Sequence, residues 1–249
     1  MSDLQHPDSR SFELVAGLYD RVRPEYPAEA IAWLAEELDL RAGRTVLDLG
    51  AGTGKLTRQL VATGAHVIAV EPGDAMRAEL ERAVPEAESF RGAAEDIPLP
   101  DASVDAITVG QAFHWFRHDE ALPELHRVLR TGGGVGLLWN SRNQSSELQR
   151  VVTELIASLV PPKRAVAWGA SARLAESELF GPMEERRFTF VHELDADALV
   201  SRIASISFVA AAPEDDKRRI ERALRELVAA HGGVVDFPYV TDVYVSRAV

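Results

Sequence analysis

The stretch Thr45-Val46-Leu47-Asp48-Leu49-Gly50-Ala51-Gly52-Thr53-Gly54 decides the fold of this 249-residue chain. It begins as a short apolar run, typical of a buried strand, and ends in a loop with glycine at every second position. Such a loop after a first strand usually holds a phosphate with backbone N–H groups at a helix N-terminus. Here Asp48 stands two positions before the first glycine, where its carboxylate would repel a pyrophosphate and attract a cationic amino group.

Two familiar phosphate-binding loops do not fit this stretch. The dinucleotide pattern needs a glycine at position 55, where the chain has Lys55. The nucleoside-triphosphate loop would place its first glycine at Leu49 and its magnesium-binding hydroxyl at Leu56. A purely structural turn with three glycines remains an alternative. S-adenosylmethionine, which carries an amino group and no phosphate, is the cofactor that the aspartate favours.

A second acidic residue supports an adenosyl ligand. Glu71 follows the apolar run 66–70 and lies 21 residues after Gly50. In open α/β folds an acidic residue at this place accepts hydrogen bonds from ribose hydroxyls and would reject a 2′-phosphate. Its alternative role, as a negative charge at the start of the next helix, is compatible with binding.

Strands and helices alternate along the first 140 residues, which indicates right-handed crossovers and a parallel sheet. We predict strands at 45–49, 66–70, 89–91, 104–109 and 135–139, helices at 55–62, 74–83 and 120–129, and a turn at 131–134. The segments 92–101 and 110–116 follow the third and fourth strands. They therefore join the glycine loop and Glu71 at the carboxyl edge of the sheet, where ligands bind in such folds.

The flanking parts of the chain are less regular. Residues 11–20 are predicted to form a short helix, and Pro27 is predicted to be the first residue of another. Near the C-terminus we predict helices at 148–159, 195–206 and 214–231, and strands at 187–193 and 239–246. The region between 160 and 185 has weak periodicity and is predicted to be a cap.

Composition limits the partners and the chemistry. The formal net charge is -12, from 27 Lys and Arg against 39 Asp and Glu, so a nucleic-acid partner is not expected. Cysteine is absent, which excludes disulfides and thiolate chemistry. No apolar run approaches the roughly 18 residues of a membrane span, and the first residues do not resemble a signal peptide. We therefore expect a cytoplasmic protein without a membrane partner. The sequence does not indicate the oligomeric state.

The residues described so far resemble the class I S-adenosylmethionine-dependent methyltransferases, over about residues 12–141. The segment 46–54 resembles their first motif, Val70-Glu71-Pro72 their ribose-binding motif, and 97–105 the segment entering their fourth strand. The segments 19–27 and 111–116 resemble a small-molecule branch with trans-aconitate-type and ubiquinone-biosynthesis-type enzymes.

The resemblance implies an architecture. It is a Rossmann-like α/β fold with a seven-stranded, mostly parallel sheet, helices on both faces, an antiparallel C-terminal strand and a small helical cap. It also implies a single methyltransferase domain over 1–249, with N-terminal helices in 1–40 covering the cofactor site and a substrate-side insertion at about 145–185.

The resemblance also assigns a cofactor, S-adenosyl-L-methionine, with S-adenosyl-L-homocysteine as product. Asp48 and the glycine loop would meet the methionine part, Glu71 the ribose, Met76 one adenine face, and the segment 94–96 the adenine amine. Many relatives have aspartate where this chain has Ala93, so Glu95 or backbone carbonyls would have to replace it. The implied cofactor-binding residues are Tyr19, Arg23, Asp48, Gly50, Ala51, Gly52, Thr53, Gly54, Glu71, Pro72, Met76, Ala94, Glu95, Asp96, Gln111 and Ala112.

The acceptor side carries fewer signals. The sulfonium methyl group is already activated, so the enzyme must mainly align donor and acceptor and exclude water. His114 is the candidate general base because imidazole ordinarily titrates near pH 6.5, although it is also compatible with a structural role. Trp115, Asn140 and Arg142 join His114 as candidate acceptor contacts, and Arg142 would pair with an acceptor carboxylate. No histidine group has the spacing of a metal site, so no metal is expected.

Three functions follow in order of preference. The first is methyl transfer to a small-molecule acceptor. The second is binding of S-adenosylmethionine without methyl transfer. The third, a nicotinamide-dependent oxidoreductase, is disfavoured by Asp48 and Lys55.

Overall fold

A computed structural model describes residues 23–159 and 170–249. The predicted helix at 11–20 lies outside these residues. The strands are β1 (Thr45–Leu49), β2 (His66–Val70), β3 (Glu88–Phe90), β4 (Val104–Gly110), β5 (Leu129–Arg142), β6 (Glu184–Asp195) and β7 (Val234–Arg247). The α-helices are α1 (Ala28–Glu37), α2 (Lys55–Val61), α3 (Asp74–Ala83), α4 (His118–Val128), α5 (Glu147–Leu159), α6 (Ala170–Ala175), α7 (Ala196–Ala204), α8 (Ser207–Ala210) and α9 (Glu214–Ala230).

The strands form one seven-stranded sheet in the order β3-β2-β1-β4-β5-β7-β6. The pairs β1–β2, β1–β4, β2–β3 and β4–β5 are all parallel, and the C-terminal strands are antiparallel. The mostly parallel, Rossmann-like sheet predicted from the sequence is therefore confirmed. Because these five parallel strands adjoin, their carboxyl ends and the loops that follow them share one edge.

The parallel strands are apolar because helices cover both faces of the sheet. Leu47 and Ile107 point into one buried cluster, which includes Leu125 of α4. Their neighbours along the strands, such as Val46, lie in a second cluster, which includes Leu34 of α1. This alternation over two apolar clusters explains why the strands lack a polar face in the sequence.

The chain divides into two compact units. Of the described residues, the sheet unit comprises 25–140, 170–188 and 241–249, and the second unit comprises 23–24, 141–159 and 189–240. The second unit has its own buried cluster, in which Ile156 of α5, Leu199 of α7 and Leu224 of α9 are each at most 2% exposed. The single domain with an N-terminal cover and a cap at about 145–185 stays a prediction.

The glycine-rich segment at 131–134 differs from the prediction. It was expected to form a turn, but it lies within β5, which begins at Leu129. Helix α1 packs closely against this strand, so a Cβ at Gly134 would lie 2.9 Å from Leu38 and one at Gly136 would lie 2.4 Å from Leu34. Gly132 instead has a left-handed φ of +79° and faces open space.

Pro27 also differs slightly from the prediction. It is the residue before α1, and its carbonyl accepts the first helical hydrogen bonds from Ala30 and Ile31. No helix in the described residues is both long and apolar enough to cross a membrane.

Candidate functional site

Four loops meet at the carboxyl edge of the sheet unit. The first two are joined where the N–H groups of Gly50 and Ala51 donate to the carbonyl of Val70, at 2.8 and 3.2 Å. The loop after β4 reaches the first loop, since a Cβ on Gly50 would lie only 2.7 Å from that of Ala112. It is joined to the end of β5 by the Gln111 N–H, which donates to the Leu138 carbonyl at 2.9 Å. The elements singled out in the sequence are thus neighbours in space.

The glycine loop depends on left-handed backbone conformations. Gly50, Gly52 and Gly54 have φ values of +70°, +59° and +88°, which side chains other than glycine adopt only with strain. Gly50 is closely packed, whereas a Cβ on Gly52 would meet nothing within 4 Å. The loop therefore has a packed base and an open crest. Gly54 precedes α2, so the N-terminus of that helix opens onto the loop.

Asp48 lies beneath this loop, not on its surface. Its side chain is 1% exposed and accepts hydrogen bonds from the hydroxyls of Thr57, at 2.6 Å, and Thr108, at 3.4 Å. Burial, with a smaller contribution from the negative charge of Glu71, raises the pKa of Asp48 to about 7 against the opposing effect of these hydroxyls. The aspartate thus connects β1, β4 and the first turn of α2 and holds the base of the loop.

Glu71 connects the first and second loops. Its Oε2 accepts the N–H of Gly52 at 2.9 Å, and its Oε1 accepts the N–H of Gly73 at 2.8 Å. A carboxylate has about four acceptor positions, so these bonds are compatible with acceptance from ribose hydroxyls as well. The carboxylate sits beside the open crest of the glycine loop, where the sequence predicted the ribose.

The predicted adenine-binding residues lie on the second and third loops. Met76, on the first turn of α3, is 7% exposed, Ala94 is 4% exposed, and Pro72 is half-buried. The Oε1 of Glu95 accepts the N–H of Arg117 at 2.7 Å, just before α4. Asp96 is exposed, and its N–H donates to the carbonyl of Ala93. Glu95, which was predicted to replace the aspartate that relatives have at Ala93, thus already accepts a hydrogen bond from the backbone of Arg117.

The fourth loop places a polar residue in an unusual conformation. Gln111 has a φ of +58°, and its Nε2 donates to the carbonyl of Asn140 at 2.8 Å. The side chain of Asn140 donates to the carbonyl of Glu25 at 3.2 Å and accepts the hydroxyl of Thr241 at 2.6 Å. Asn140, predicted as an acceptor contact, therefore also fixes the end of β5.

His114 and Trp115 lie on a single 3₁₀ turn, Phe113–Trp115, that leaves the fourth loop. Phe113 is fully buried and anchors this turn, while His114 and Trp115 are half-buried, with ring centroids 4.8 Å apart. The turn thus holds an imidazole and an indole side by side at the edge where the other loops meet.

Two further predicted residues, Arg23 and Arg142, belong to the second unit. Tyr19 lies outside the described residues. The Nη2 of Arg23 donates to the carbonyl of Ser205 at 3.3 Å, and Arg142 is the last residue of β5. Within the described ranges there is no group of three or more side chains that could hold a metal ion.

Sequence reasoning missed two residues. Thr57 holds Asp48, but a threonine in a helix carries no motif signal of its own. Arg202 is 8% exposed although it is charged, and its partner Tyr239 is 37 residues away, so only the fold reveals it.

The chain matches the family model described as a methyltransferase domain over residues 47–136. An uncharacterized methyltransferase of Mycobacterium tuberculosis is 39% identical over 238 residues, which cover 94% of this chain and 93% of the relative. This chain belongs to the methyltransferase family. The predicted enzyme class is thereby confirmed.

One solved structure agrees with this methyltransferase assignment, and a second shares the fold. One, assigned as a type II methyltransferase from Anaeromyxobacter dehalogenans, is 26% identical with a TM-score of 0.66, covering 91% of this chain and 97% of that one. The other is a phosphoethanolamine N-methyltransferase of Haemonchus contortus in complex with S-adenosylhomocysteine. It is 15% identical with a TM-score of 0.56, covers 98% of this chain and 58% of that one, and shows the shared fold alone.

Proposed function

We propose that this methyltransferase uses S-adenosylmethionine and transfers its methyl group to a small-molecule acceptor. One observation carries the choice of cofactor: the Glu71 carboxylate accepts the N–H of Gly52 in the glycine loop, and Asp48 lies buried beneath the same loop on the hydroxyl of Thr57. A pyrophosphate would be repelled there, whereas a ligand with a cationic amino group and a ribose would be attracted. The structural relative that binds S-adenosylhomocysteine supports the same choice.

The residues of the four loops fit such a cofactor. The open crest at Gly52 leaves room beside the Glu71 carboxylate, which would accept from the ribose hydroxyls. Asp48 would act mainly through Thr57 and the loop that it holds, and its carboxylate would add a negative potential under the amino group. Met76 and Ala94 would border the adenine ring. The bound cofactor supplies an activated methyl group on a sulfonium.

The protein's own contribution to transfer is then alignment, exclusion of water and, for an acceptor that must lose a proton, a base. His114 is the residue proposed for that base, and Trp115 would shape the acceptor pocket beside it. Asn140, at the end of β5 beside these loops, is proposed as an acceptor contact. The proposed location is the cytoplasm.

The experiment is incubation of the protein with S-adenosylmethionine labelled in its methyl group and a cell extract separated by size. We expect label to appear in the small-molecule fraction and S-adenosylhomocysteine to form in equal amount. A His114→Gln variant should bind the cofactor normally and transfer more slowly if the acceptor needs a base. Label in nucleic acid or protein would refute the small-molecule acceptor, and cofactor binding without any transfer would favour a binding role.

A further inference from the structure

Two arginines of the second unit, the half-buried Arg142 and the buried Arg202, each have a buried guanidinium nitrogen without a partner among the described residues. Arg142 ends β5, and Arg202 lies in α7 with only 8% of its surface exposed. The Nη1 atom of each is buried and has no hydrogen-bond partner within residues 23–159 and 170–249. Neither forms an ion pair in those same ranges. By contrast, Arg225, in the same unit, pairs with both Asp197 and Glu221.

Arg202 is held in one orientation by a tyrosine. Its Nε donates to the hydroxyl of Tyr239 at 2.9 Å, and the guanidinium carbon lies 5.8 Å from the centre of the tyrosine ring. Tyr239 is itself fully buried and stacks on Phe190, with ring centroids 5.3 Å apart. The ring centroid of His192 lies 6.5 Å from that of Tyr239. The Nη1 of Arg202 is therefore fixed, and aromatic rings surround the group that fixes it.

The residues that follow Arg142 are hydrogen-bonded to the backbone next to Tyr239. The carbonyl of Pro238, the residue before Tyr239, accepts the N–H of Asn143 at 3.0 Å and the Nε2 of Gln149 at 2.9 Å. Gln149 is fully buried. The residue after Arg142 and the side chain of Arg202 are thus hydrogen-bonded to the adjacent residues Pro238 and Tyr239, and such supporting bonds are what a preformed binding site needs.

The electrostatics of the pair are unfavourable without a further group. Burial and the neighbouring Arg202 cation lower the pKa of Arg142 from its ordinary value. A guanidinium nevertheless stays protonated in proteins, so two like charges remain together in a poorly solvated place. An oxyanion offsets both charges at once, and its oxygen atoms match the planar donor pattern of a guanidinium.

We propose that Arg142 and Arg202 bind the oxyanion of a small organic molecule, a carboxylate or a phosphate, with the aromatic rings around Tyr239 beside its carbon skeleton. That this molecule is the methyl acceptor rests on the proposed function. The sequence pointed to Arg142 as a partner for a carboxylate, and the structure adds Arg202 and its tyrosine. The two arginines would recognise the negative charge of this molecule, and the aromatic rings would recognise its apolar part.

The test is calorimetric titration of the full chain with succinate, benzoate and phenyl phosphate, with sodium chloride at matched ionic strength as reference. We expect saturable binding of at least one oxyanion and a loss of about tenfold or more in affinity in both Arg142→Gln and Arg202→Gln. Arg219→Gln, which removes an exposed arginine of the same unit, should bind as the wild type does. The carboxylates and the phosphate ester distinguish the two sources of the oxyanion.

Equal effects of all salts, or unchanged affinity in both glutamine variants, would overturn the site. Tyr239→Phe keeps the test decisive if Arg202→Gln does not fold, because it should weaken binding by releasing Arg202 while leaving the charge in place. S-adenosylmethionine is titrated separately. Cofactor binding without oxyanion binding refutes this site alone, and oxyanion binding without cofactor binding refutes the proposed function alone.

Discussion

At the scale of single residues, two carboxylates have different tasks at one loop. Glu71 faces the open crest and holds the N–H groups of Gly52 and Gly73, whereas Asp48 lies buried under the loop on two hydroxyls. Glu71 is therefore placed to contact a ligand, whereas Asp48 is placed to hold the glycine loop that contacts it. The two residues should respond differently to substitution and to pH.

Removing either carboxylate is expected to weaken S-adenosylmethionine binding. Glu71→Ala and Asp48→Ala should each cost roughly 1–3 kcal/mol of binding free energy, the usual range for losing hydrogen bonds to charged groups. Calorimetric titration measures the change. Glu88→Ala is the matched control and should bind normally, because this exposed glutamate is the first residue of β3, at the end of the strand away from the loops. Wild-type affinity in folded Glu71→Ala would remove the ribose contact from the site.

The buried Asp48 also predicts how stability depends on pH. Its folded pKa of about 7 lies above the value of about 3.9 expected in the unfolded chain, so the folded state holds the proton more tightly. Its contribution to the free energy of unfolding is therefore fully present below about pH 4 and falls as the pH rises to about 7. Between pH 5 and pH 8, the free energy of unfolding measured with denaturant should fall more for the wild type than for Asp48→Asn. Equal losses in the two proteins would contradict the buried, raised pKa.

At the scale of elements, the glycine loop can be tested by two substitutions that cause the same strain. Gly52 and Gly132 have φ values of +59° and +79°, and a Cβ on either meets nothing within 4 Å. Alanine should cost each about 1–2 kcal/mol of folding stability through its backbone conformation. Only Gly52→Ala should also weaken cofactor binding, by about tenfold or more, because its methyl group would occupy the crest. Equal binding by both variants would show that the crest does not contact the ligand.

The elements also show what the sequence could and could not predict. The alternation of strands and helices was enough for the parallel sheet and for the four loops at one edge. The direction of the Asp48 side chain was not predictable, because a strand covered on both faces has no polar side to reveal it. The segment 131–134 was predicted as a turn because a glycine in a left-handed conformation, Gly132, and a glycine packed against α1, Gly134, look alike in the sequence. Arg202 was missed because its tyrosine partner is brought near only by the fold.

At the scale of the whole molecule, the net charge of -12 argues against a nucleic-acid acceptor. A fluorescently labelled DNA duplex at low salt should show no change in anisotropy when the protein is added, because its average field repels a polyanion. Salt-dependent binding in that titration would contradict the expectation. The oxyanion site proposed at Arg142 and Arg202 requires only two local positive charges and is compatible with an acidic protein.

The most direct test of the account is calorimetric titration of the wild-type protein with S-adenosylmethionine, S-adenosylhomocysteine and NADH. Asp48 beneath the glycine loop and Lys55 in place of the glycine of the dinucleotide pattern predict micromolar binding of both adenosyl ligands and none of NADH. Binding of NADH, or failure of both adenosyl ligands to bind the folded protein, would contradict the assignment of this loop.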